Sequence, residues 1–95
     1  MMSSSRRALS YYEELQARMR ALLIATGMWI SAEQLSLFNE LIDANECGVV
    51  LDMLSEALIS SEAKIDDLVF QDVQSLSEQM GLGATVAARL RPLVS

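Results

Sequence analysis

Glu46-Cys47-Gly48-Val49-Val50-Leu51-Asp52-Met53-Leu54-Ser55-Glu56-Ala57-Leu58-Ile59 carries the most regular apolar spacing in this chain. Val49, Val50, Met53, Leu54, Ala57 and Leu58 recur at intervals of three and four, which places them on one stripe of an α-helix. Asp52 and Glu56, one turn apart, are left for the solvent side. A strand would need alternation with a period of two, and neither this stretch nor any other shows it.

Upstream, Ser31-Ala32-Glu33-Gln34 has the form of a capping box, with Ile30 and Leu35 at the staple positions. The helix it opens carries Leu35, Phe38, Leu41 and Ile42, and Asn45 can end it because asparagine tolerates the left-handed conformation. Before it, Leu9, Tyr12, Leu15, Met19, Leu22 and Leu23 form another stripe, supported by Glu14 and Arg18 at i,i+4. Gly27 stands where that helix would close on a left-handed residue. Tyr12 is expected in the core and Tyr11 as an exposed contact, with Trp29 a lid over the bundle.

Downstream, Ser60 to Lys64 is a polar connection, and Asp66 is the N-cap of a fourth helix carrying Leu68 or Val69, Val73, Leu76 and Met80. Gly81 terminates it, and Ala84 to Arg91 is a short fifth helix closed by Pro92. The expected architecture is all-α: a compact bundle of four to five short helices, with a flexible tail over residues 1–7 and a single helical domain over 8–95.

The composition removes much chemistry. In 95 residues there is no histidine, which deletes the commonest general base and metal ligand. The lone Cys47 excludes an internal disulfide and a cysteine cluster for zinc, and it is expected as a small buried hydrophobe. Four glycines leave little for a phosphate-binding loop. No apolar run approaches the ~20 residues of a membrane helix, and the start lacks the apolar core of a secretory signal. The expectation is a cytoplasmic protein that is not an enzyme, with no cofactor and no bound metal.

Charge is distributed unevenly. The net charge is −6, yet residues 33–82 hold eleven carboxylates against Lys64, while both flanks are positive. Such a field opposes direct binding of nucleic acid and favours a basic protein partner. Glu40, Asp43, Glu46, Asp52 and Glu56 are the candidate contacts. Asp43, Asp52 and Glu56 are the stronger ones, since no basic neighbour in sequence relieves them. Glu46 can equally complement the positive end of the third helix.

The stretch Glu46, Gly48, Val49-Val50, Asp52 and Leu54, followed later by Met80-Gly81-Leu82, resembles the MafI-type family of small helical immunity proteins. The resemblance spans about residues 35–82, with Asn45 where the family often has glycine and Val49-Val50 where alanine-leucine is more usual. It implies an antidote that binds the C-terminal domain of a polymorphic or contact-dependent growth inhibition toxin, frequently a ribonuclease of the EndoU kind. The charge pattern independently suits occlusion of a basic substrate cleft by an acidic surface, with binding at a neighbouring exosite the open alternative. The alternative from another class is an acidic helical adaptor that uses an apolar groove and tolerates salt. An acyl carrier is disfavoured, because Leu54-Ser55-Glu56 and Leu76-Ser77-Glu78 lack the Asp-Ser-Leu context of the prosthetic group. Whether the protein is a monomer or a homodimer stays open.

Overall fold

A computed structural model describes residues 2–95, and their side chains from Ser10 onward. Five α-helices follow one another: α1 (Met2–Ala25), α2 (Ala32–Asp43), α3 (Cys47–Ser60), α4 (Asp67–Gln79) and α5 (Thr85–Leu90). Short 3-10 turns cover Gly27–Trp29 and Arg91–Leu93. The chain is an all-α bundle. The tail expected over residues 1–7 falls at the margin, with Met1 outside the described residues and the side chains of 2–9 not described.

The starts of α2 and α4 follow from local chemistry. Ser31 Oγ accepts from Gln34 N at 3.1 Å while Gln34 Oε1 accepts from Ser31 N at 3.0 Å, which completes the capping box. Asp66 Oδ1 accepts from Val69 N at 2.9 Å. Each cap satisfies an otherwise orphaned amide and contributes about 1 kcal/mol.

Three helix ends share one solution. After α2, Asn45 N donates to Ile42 O and Glu46 N to Leu41 O. After α3, Glu62 N donates to Ile59 O and Ala63 N to Leu58 O. After α4, Gly81 N donates to Glu78 O and Leu82 N to Ser77 O. These are Schellman motifs, which require a left-handed residue at the turn. Asn45 (φ 66°), Glu62 (φ 54°) and Gly81 (φ 72°) supply it. Asn45 and Gly81 meet the expectation, and Glu62 is a residue with no intrinsic preference for the role. Gly27 is not left-handed: α1 passes instead into a 3-10 turn, while Thr26 Oγ1 donates back to Leu22 O at 2.8 Å.

Leu15, Met19, Leu22 and Leu23 of α1 meet Phe38 and Ile42 of α2, Val50, Leu51, Leu54 and Leu58 of α3, and Val73 and Leu76 of α4 in one core. Several stripe positions move. Val49 is 46% exposed and Leu51 takes its place inside; of Leu68 and Val69 it is Val69 that packs against the core, and Phe70 is buried; Leu35 is 37% exposed. The C-terminal segment is tied down at three points. Ile65 pairs with Val94 in an isolated parallel bridge, Arg91 lies 5.0 Å from the centre of the Phe70 ring, and Leu90 is fully buried. Among the described residues no helix is long and apolar enough to cross a membrane.

Candidate functional site

The five carboxylates expected to contact a partner are all exposed, and the tertiary structure divides them. Glu40, Asp43 and Glu46 lie at the α2–α3 corner. Asp43 forms an ion pair with Arg20 of α1, and Asn45 beside it accepts from Gln16 of α1 at 3.2 Å. Glu46 precedes α3 and makes no side-chain cap, so any effect on that helix end is through its charge alone.

Asp52 and Glu56 point to the opposite neighbour, α5. Arg89 reaches Asp52 Oδ1 from Nη1 at 3.0 Å and Glu56 Oε1 from Nη2 at 3.6 Å. Asp52 and Glu56, two of the three carboxylates without a basic neighbour in sequence, therefore share one guanidinium, which stands 37 residues beyond Asp52. The structure brings Asp52 and Glu56 together and sets Asp43 on another side of the bundle, between α1 and α2. Arg18 likewise leaves its expected partner Glu14 and donates to Gln79 Oε1 at 2.6 Å and Ser75 Oγ at 3.2 Å.

Glu56 belongs to a second feature that the sequence did not mark. A groove of about 450 Å³ lies between α2 and α3, with Trp29, Leu37, Phe38 and Met53 among its apolar lining and Gln34, Glu56 and two serines among its polar lining. Leu37 is 41% exposed and Trp29 is half-buried. Trp29 thus packs on the core as a lid and also forms a wall of the groove. Leu37 is a large apolar residue off the stripe of α2, and apolar periodicity alone does not mark it.

A smaller hollow of about 300 Å³ involves Tyr11, Tyr12, Cys47 and Gly48. Here the two tyrosines exchange their expected roles. Tyr11 is half-buried and its hydroxyl donates to Gln79 O at 3.0 Å, while Tyr12 is 44% exposed. Cys47 is buried, and burial pushes its thiol up from its ordinary value, partly offset by the positive charge of Arg20. A raised thiol is a poor nucleophile at neutral pH. Among the described residues no group of three or more Cys, Asp or Glu is arranged to hold a metal ion.

The chain matches no family model, no curated protein and no solved structure.

Proposed function

We propose that this protein is an immunity protein that binds and neutralises a cognate toxin domain in the cytoplasm, with its acidic surface set against a basic, nuclease-type substrate site. The observation that supports it most is the Asp52–Glu56 pair. Two exposed carboxylates one helical turn apart already hold a guanidinium between them, which is the arrangement an arginine of a basic partner would meet. Arg89 becomes a competitor within the protein: an incoming cation shares or displaces it. This keeps the pair ordered before binding and tempers its field. The corner carboxylates Glu40, Asp43 and Glu46 add to the negative potential that steers a basic partner toward the protein.

The adaptor reading has one observation in its favour, the apolar groove between α2 and α3. The two readings separate by salt. Calorimetric titration of the protein with the toxic domain encoded beside its gene, at low and at high ionic strength, is the test. Tight binding that weakens steeply with salt supports an inhibitor acting through carboxylates. Absence of binding at either ionic strength removes the immunity reading. Tight binding indifferent to salt leaves a cognate pair but takes the acidic pair out of the interface.

A further inference from the structure

The groove between α2 and α3 is lined by polar as well as apolar side chains, and two of the polar ones are already engaged. Gln34 Oε1 accepts from Ser31 N in the capping box. Ser61 Oγ, also on the wall, donates to Ala57 O at 2.9 Å. These side chains serve the protein's own backbone. Glu56 is the one charged residue among those lining the groove, its side chain is 67% exposed, and Arg89 holds it at 3.6 Å, more loosely than Asp52 at 3.0 Å. The remaining lining is Ser60 and Ala57 together with Trp29, Leu37, Phe38 and Met53, and these last four form an apolar patch suited to receiving an apolar side chain.

We infer that the groove receives an apolar anchor residue of a basic partner, with a neighbouring lysine or arginine of the same segment paired to Glu56. Charge complementarity selects this occupant. Asp52 and Glu56 have only Arg89 between them, so the loosely held Glu56 carboxylate beside the apolar part of the slot rewards a cation placed next to a hydrophobic group, and it penalises an acidic segment. The inference rests on the reading of a basic partner and adds what that partner must carry: a hydrophobic residue adjacent to its positive charge, seated between α2 and α3 rather than on the α3–α5 surface alone.

Trp29 is the single tryptophan of the chain, so its fluorescence reports occupation of the groove directly. Three synthetic peptides of equal length are titrated against the full protein. One is lysine-rich with leucines on one helical face, one has the leucines replaced by serine, and one has the lysines replaced by glutamate. The first peptide is expected to shift Trp29 emission and to bind at least about tenfold tighter than either control, since one buried leucine supports a difference of that size. The substitution Leu37→Asp, at a position already 41% exposed, is expected to remove the shift while circular dichroism stays unchanged. Glu56→Gln is expected to weaken the lysine-rich peptide and to flatten its salt dependence. Equal binding of the serine peptide overturns the groove inference while leaving a basic partner in place. Equal binding of the glutamate peptide overturns the basic partner as well. No shift with any peptide overturns the inference outright.

Discussion

Arg89 on α5 and Asp52 on α3 stand 37 residues apart in sequence and 3.0 Å apart in space. Their contact, extended to Glu56, fastens the C-terminal helix to the centre of the bundle by charge as Leu90 does by burial. The pair is exposed, so its contribution is small, about 0.2–1 kcal/mol. Arg89→Gln is expected to lower the melting temperature by no more than ~4–8 °C at low salt, and by less at high salt, in a thermal unfolding series. A drop that is the same at every salt concentration would show that Arg89 acts through packing of its stem instead. The contact also changes how the acidic pair is tested. Asp52→Lys or Glu56→Lys would set a lysine against Arg89, so Asp52→Asn with Glu56→Gln is the cleaner removal of charge.

The two adjacent tyrosines differ in consequence. Tyr11→Phe deletes the hydrogen bond to Gln79 O and leaves a half-buried carbonyl to find water, at a cost of about 1 kcal/mol. Tyr12→Phe is expected within ~0.5 kcal/mol of the parent, as for most surface changes. Chemical denaturation of the two variants checks the order, and equal losses would remove the assigned role of the Tyr11 hydroxyl.

Glu62 occupies the left-handed position of the Schellman motif after α3. A side chain there costs ~1–2 kcal/mol, and glycine returns ~0.4–1 kcal/mol through the entropy of the unfolded chain. Glu62→Gly is therefore expected to stabilise by about 0.5 kcal/mol, with Glu62→Ala showing no such gain. Urea midpoints of the three proteins measure it.

Ser77 is 1% exposed and its hydroxyl has no hydrogen-bond partner among the described residues. The buried Ser55, by contrast, donates to Leu51 O at 2.8 Å. Ser77→Ala removes an unsatisfied group from the last turn of α4 and substitutes a better helix former. It is expected to raise stability by up to ~1 kcal/mol, whereas Ser55→Ala is expected to lower it or leave it unchanged. A loss for Ser77→Ala equal to that for Ser55→Ala would mean that Ser77 is satisfied in solution.

Cys47 links stability to pH in alkali. Its thiol is raised in the folded state, so the unfolded chain releases the proton first, near the ordinary value of 9.0. The folded state binds more protons above that point, and stability falls as pH rises from about 9.0 toward the folded-state value. Below it the contribution is fully present. Cys47→Ala is expected to flatten this part of the stability–pH curve, and the native thiol is expected to react slowly with iodoacetamide at neutral pH.

Local chemistry was sufficient for the helices and most of their ends. The capping box at Ser31, the cap at Asp66, and the left-handed Asn45 and Gly81 depend on residues within a few positions of one another, so the sequence by itself determined them. It also determined the all-α class, through apolar periodicity that no strand can satisfy. Which side of each stripe ends inside was decided by packing. A helix surrounded by neighbours has a buried arc wider than a simple stripe, and its centre depends on where those neighbours lie. That is why Leu51 and Phe70 went in, while Val49, Leu68 and Tyr12 stayed out. The candidate site shows the same division. The acidity of the middle helices is a property of composition, but its pairing is not. Arg20 and Arg89 come from helices distant in sequence, and only the fold places them against Asp43 in one case and Asp52 with Glu56 in the other. The groove between α2 and α3 belongs to neither helix alone; it exists because the turn at Asn45 sets the two side by side.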